Sequence, residues 1–249
     1  MVVLSVTRYR RYLLFLYTLR EPDGSPQHRT TYLLPDIRYR PFDYYPSLTI
    51  HAMPSFHGTV ARLDLLPDHV PSLESQIMVL EIQHPSPAGS FIVVIDTVIF
   101  SQQAILSETP VEIPWSDWGA KHAWCFPHHR SSKIGVFGSK MAYTLPLGYI
   151  PEPGEMLTRA SGDEVYFYVH IWDFNQRIIA RAENANGRNP FDPVICKSHD
   201  VWLPFAGEVI LNRPYTATIC RMRFPIQYHM GIFFDQDRLI LTSVGAPVL

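Results

Sequence analysis

Apolar residues along this chain come in short runs rich in β-branched and aromatic side chains, and the runs are divided by joints of Gly, Pro, Asn or Asp. Such runs fit a pleated, half-buried surface, and such joints supply turn geometries. Residues 12–19 (YLLFLYTL) predict a buried strand, followed by a polar turn at Asp23-Gly24-Ser25-Pro26. Residues 58–66 (GTVARLDLL) predict another. Residues 77–84 (IMVLEIQH) and 90–100 (SFIVVIDTVIF) flank Pro85-Ser86-Pro87-Ala88-Gly89 and predict a hairpin. Its second arm is almost continuously apolar, as in a strand covered on both faces.

Four more hairpins follow from the same pattern. They pair 134–137 with 141–145, 164–172 with 177–182, 207–212 with 215–223, and 230–234 with 238–242. Their turns fall at Gly138-Ser139-Lys140, Asp173-Phe174-Asn175-Gln176, Arg213-Pro214 and Asp235-Gln236-Asp237. Only residues 69–80 carry a pattern open to a short helix, and 183–200 reads as a long polar loop. Asp173 is expected to close a strand end by bonding the turn backbone.

Repeated hairpins predict an all-β fold of antiparallel hairpins and meanders. Ile134-Gly135-Val136-Phe137 with Tyr143-Thr144 is echoed by Met230-Gly231-Ile232-Phe233 with Leu241-Thr242, 96 residues later. Propeller blades are four-stranded meanders of roughly 40–50 residues, so this offset predicts two blades. An incomplete or irregular β-propeller-like architecture is the expectation, with a β-sandwich as the alternative.

Composition sharpens this picture. The chain has 249 residues, of which 22 are proline, and that many prolines limit helix length. The formal net charge is −2 and the basic residues do not cluster, which argues against a nucleic-acid partner. Cys125, Cys196 and Cys220 are too few and too far apart for a disulfide framework, so an intracellular protein, cytoplasmic or nuclear, is expected. Arg8, Arg10 and Arg11 precede an apolar run, but the run is short and Arg20-Glu21 follow at once, so neither a signal peptide nor a membrane span is expected.

Candidate chemistry is sparse. His122, Cys125, His128 and His129 lie within eight residues, but their spacing matches no zinc pattern and a loop with surface histidines is the expectation. No nucleophile elbow or phosphate-binding glycine loop is present. Asp96, Glu112, Asp117 and Asp163 are the acids that a glycosidase reading would need to converge. The expectation is therefore no enzyme, with no catalytic, metal or cofactor residues. The most distinctive phrase is Glu112-Ile113-Pro114-Trp115-Ser116-Asp117-Trp118-Gly119, continuing to Trp124-Cys125-Phe126-Pro127. It predicts a tight turn pinned by aromatic packing. Trp115, Trp118 and Trp124 are the candidate binding residues, because tryptophan is enriched at binding hot spots.

That phrase, with Phe126-Pro127-His128-His129, resembles a block found in F-box proteins of mushroom-forming fungi. Val169-His170-Ile171-Trp172-Asp173-Phe174-Asn175 is similar to a second phrase of theirs, with Gln176 where they carry proline, and Phe234-Asp235-Gln236-Asp237-Arg238-Leu239-Ile240 resembles their terminal strand. The resemblance covers roughly residues 90–245. It implies the propeller-like, client-recognising region of a ubiquitin-ligase adaptor. Residues 1–20 do not read as an F-box, so a Skp1-type adaptor is a partner only if one lies upstream. A single β-rich domain over 1–249 is expected, with a weaker part at 1–75 and a better-matched part at 76–249. A non-enzymatic protein-binding module with a protein client is the leading expectation. A carbohydrate-binding or glycoside-acting β protein, or a fragment without independent function, are the alternatives.

Overall fold

The computed structural model describes residues 2–8, 11–19, 24–36, 47–52, 76–83, 90–103, 109–128, 132–146, 166–184, 194–196, 205, 213–220, 224–225, 231–234 and 238–242. Its strands form four sheets, each an open path rather than a closed barrel, and all but one of the pairings are antiparallel. The protein is all-β and irregular.

The first sheet contains β1 (Val2–Arg8), β2 (Arg11–Leu19) and β3 (Pro26–Leu33). A bulge interrupts the β2–β3 ladder between Leu16 and Tyr17. The second sheet begins with β4 (Ser47–Ala52), β5 (Ile77–Gln83) and β6 (Phe91–Asp96). The chain then turns into helix α1 (Val98–Gln103), returns as β7 (Val111–Ile113) to lie parallel to β3, and forms helix α2 (Trp115–His122). Strand β8 (Ala123–Pro127) completes the second sheet against β6. The third sheet has the order β12-β13-β11-β10-β9, built from β9 (Ile134–Phe137), β10 (Lys140–Pro146), β11 (Tyr166–Asp173), β12 (Val194–Cys196) and β13 (Tyr215–Ile219). Helix α3 (Gln176–Asn184) follows β11, and β14 (Phe224–Pro225) adds to that strand's far end. A two-stranded sheet, β15 (Gly231–Phe234) with β16 (Leu239–Thr242), ends the series.

The sheets stack face on face, and three apolar layers lie between them. On β5 and β6 successive side chains point to opposite faces, as strand geometry requires. Met78, Leu80 and Ile82, with Phe91, Val93 and Ile95, join Tyr12, Leu14 and Leu16 of β2 in the first layer. Ile77 and Val79, with Ile92 and Val94, face Met141, Tyr143, Leu145 and Trp172 in the second. Ala142, Phe167 and Val169 meet Ile232 in the third. Residues from 1–75 and from 76–249 therefore share one core.

Strand β5 pairs with β6, β9 with β10 and β15 with β16, as the pattern predicts for these arms, and β6 is buried on both faces; the turns at 85–89 and 235–237 lie outside the described residues. Three expectations are corrected. Residues 177–182 are helical: Ile178, Ile179 and Ala182 recur at helical spacing, and the Asn175 side chain accepts the Arg177 N–H at 3.0 Å as an N-cap. Residues 77–80 belong to β5, not to a helix; the helices are α1, α2 and α3 among the described residues. The 90–100 arm ends at Asp96, whose carboxylate accepts the Val98 N–H and starts α1. The echoed hairpins occupy neighbouring sheets, with Ile232 of β15 close against Gly135 of β9. Strand β13 pairs with β11 and β12, while residues 58–66 and 207–212 lie outside the described residues.

Candidate functional site

The Pro114–Trp118 phrase is the start of a helix rather than a tight turn. Pro114 is extended and occupies the N-cap position, where its missing N–H costs nothing. Trp115 and Trp118 then lie three residues apart on one helical face, with ring centroids 4.6 Å apart and edge to face. Gly119 is required beneath them, because any Cβ there would run into the Trp115 indole. Trp118 is 3% exposed; its indole N–H donates to the Leu33 carbonyl at 3.2 Å and its ring meets Tyr32 edge-on. Tyr32 in turn donates to the Ile99 carbonyl at 2.9 Å, and burial raises its phenol to about 12. This corner fastens α1 and α2 to β3. Trp115 is half-buried and keeps part of its ring at the surface.

The residues from His122 to His128 are dispersed by strand alternation. Trp124 faces the second apolar layer and Cys125 the first. Burial pushes the Cys125 thiol up, and burial also raises that of Cys196, so neither thiol is activated as a nucleophile. All three cysteines are free. No group of three or more His, Cys, Asp or Glu is disposed to hold a metal ion among the described residues, and His129 lies outside them.

Sequence reasoning missed the cluster around Glu81. This carboxylate is buried on the β5 face that looks toward β10. His51 of β4 lies 2.6 Å from its Oε2, and Gln83 donates to its Oε1. His128 Nε2 comes within 2.9 Å of Oε1. The other His128 nitrogen meets the Tyr143 hydroxyl at 3.1 Å. Burial pushes the Glu81 carboxyl up, but the contacts to His128, His51 and Gln83 outweigh it and hold the group far below the usual carboxylate range. His128 and Tyr143 are sealed from water, so the cluster joins two sheets rather than presenting a reactive group. The only sequence signal was a lone charge in the apolar run IMVLEIQ.

A second polar assembly opens to the surface. The start of β5, the end of β6, the β9–β10 turn, the start of α3 and Arg213 enclose a cleft of about 150 Å³. Arg213 Nη1 pairs with Asp96 Oδ2 at 3.1 Å, and the guanidinium lies 4.5 Å from the Trp124 ring centroid. The Trp124 indole N–H donates to the Arg213 carbonyl at 3.0 Å. Trp124, 1% exposed, therefore acts beneath the cleft by positioning Arg213. The opposite wall is equally fixed. Asp173 accepts from the Ser139 hydroxyl at 2.8 Å and from the Asn175 N–H at 3.0 Å, the turn bond expected of it. Gln176 donates to the carbonyls of Phe174 and Pro214. The imidazole of His122 lies in the field of this pair: burial pulls its basicity down, Asp96 opposes that, and Arg213 and Lys121 reinforce it.

Of the acids a glycosidase would need, Asp96 is engaged by Arg213, Glu112 and Asp117 are exposed on β7 and the first turn of α2, and Asp163 lies outside the described residues. No helix among the described residues is long and apolar enough to cross a membrane. The chain matches no protein-family model, no curated protein and no solved structure.

Proposed function

We propose that this chain is a non-enzymatic protein-binding module, comparable in role to the client-recognising region of the F-box adaptors its sequence resembles, and that the cleft beside Asp96 and Arg213 is where a client is gripped. The observation that carries the reading is the cleft's size and rigidity. Small-molecule sites run from roughly 300 Å³ upward, so about 150 Å³ suits one anchoring side chain of a polypeptide. Each wall is tied down before any partner arrives, which lowers the ordering cost of binding. The half-exposed Trp115 offers a separate aromatic contact. Free cysteines with unactivated thiols at Cys125 and Cys196 suit a cytoplasmic or nuclear protein.

The test is selection of a phage-displayed random peptide library on the folded chain. The reading expects enriched sequences whose binding falls when Arg213 is replaced by Ala, with the fold retained by circular dichroism. Failure to enrich any sequence, or enrichment indifferent to every cleft substitution, would refute it.

A further inference from the structure

Resting on that reading, the chemistry of the cleft wall points to a particular anchor. The two charges paired on one side of it, Asp96 and Arg213, neutralise one another at 3.1 Å. A second carboxylate, Asp173, lies just behind Ser139 and Asn175, and Arg177 stands at the start of α3. Asp96, Arg213 and Arg177 line the space, with Asp173 behind its wall, so no single sign of charge is invited in. An acidic anchor would approach Asp96 and Asp173, and a basic one Arg213 and Arg177; desolvating either beside a like charge is costly.

The uncommitted polar groups are of mixed kind. Arg213 gives one N–H to Asp96 and lays its face on Trp124, and the remaining donors of its guanidinium are open. Gln76 lines the cleft, and the Thr97 N–H and hydroxyl donate to its backbone carbonyl rather than to its carboxamide. Asn175 uses its side-chain oxygen to cap α3, leaving its amide nitrogen. Gln176 uses its amide nitrogen twice, leaving its oxygen. A neutral group that both donates and accepts satisfies this wall, whereas a carboxylate only accepts and an ammonium only donates.

We propose that the cleft is an anchor site for a carboxamide side chain, asparagine or glutamine, presented by the partner polypeptide. The carboxamide oxygen accepts from Arg213 or from the Asn175 or Gln76 amide, and its NH2 donates to the Gln176 oxygen or to Asp96. Once the anchor covers these half-buried partners, leaving one of them unpaired is what rejects a near-isosteric competitor.

The experiment takes peptides enriched on the full 249-residue chain from the random library and measures each by fluorescence anisotropy against variants at every position. One position is expected to require Asn or Gln, with Asp or Glu there weakening binding about tenfold or more, the usual effect of one mismatched buried polar group. Asp96→Asn removes the negative charge beside Arg213 and is expected to erase or invert that preference in favour of the acidic peptide. Gln76→Leu, whose parent side chain holds nothing else in place, is expected to weaken the carboxamide peptide and serves as the second variant if Asp96→Asn does not fold. Enriched peptides with no carboxamide requirement, or a requirement unmoved by both substitutions, would overturn this assignment while leaving the binding-module reading intact. A library that yields no binder removes that reading and this assignment together.

Discussion

The sheet β4-β5-β6-β8 and the pair β15-β16 use nearly the same residue types in opposite surroundings. Every side chain from Phe91 to Ile95 is buried, because neighbouring sheets cover both faces of β6. In the terminal pair, Ile232 and Leu241 turn inward, while Phe233 and Ile240 stand directly opposite each other and are 61% and 52% exposed. A run of apolar residues is thus a statement about strand formation and not about burial. What lies across each face decides whether the run contributes to stability.

The comparison can be broken most directly at the middle of the stack. Trp124→Ala removes the largest buried side chain of the second layer and is expected to cost about 3–5 kcal/mol in denaturant unfolding. A cost below about 1 kcal/mol would mean that the middle sheet is not what holds the fold. Glu81→Ala leaves His51 and His128 without their shared carboxylate and is expected to cost about 3 kcal/mol at neutral pH, since breaking a buried pair strands the remaining partners.

Acid should weaken the same region. Burial lowers the His170 imidazole to about 4, against roughly 6.5 in an unfolded chain. Between those values the unfolded state binds the extra proton, so stability is complete above about pH 6.5 and falls as the pH drops towards 4, by an amount on the order of 3 kcal/mol. The Glu81 carboxyl, held low in the fold, adds a further loss only below the ordinary carboxylate range near pH 4. His170→Gln should flatten the upper part of that profile; an unchanged slope between pH 6.5 and 4 would place the titration elsewhere. The smallest effect belongs to the terminal sheet. Phe233→Ser should change stability by no more than about 0.5 kcal/mol, because its ring is already in water. A loss comparable to that of Trp124→Ala would show that the outer face is covered in solution.

Much of the strand content was legible because turn chemistry is local. Gly138-Ser139 marks the β9–β10 hairpin whatever surrounds it. The stretch 177–182 reads as a strand from its β-branched pair Ile178-Ile179, but the Asn175 cap and the helical spacing of its apolar residues make it a helix. The Trp-x-x-Trp-Gly phrase carries the aromatic packing its composition predicts, but on a helix rather than a turn, and of the candidate binding residues Trp118 and Trp124 have buried rings bonded to backbone carbonyls while Trp115 meets solvent. The cleft itself was not legible. Asp96 and Arg213, which form its floor, are 117 residues apart, and nothing local in either segment names the other.

By itself the sequence determined that the chain is built mainly of short strands and that β6 would be covered on both sides, since propensity, turn residues and side-chain alternation act over a few neighbouring positions. Only the tertiary structure decided which sheet covers which face, which tryptophans are core, and that an acid from β6 and an arginine from before β13 share one cleft. Those outcomes depend on contacts between distant segments, and strand periodicity sorts side chains into two faces without saying what each face will meet.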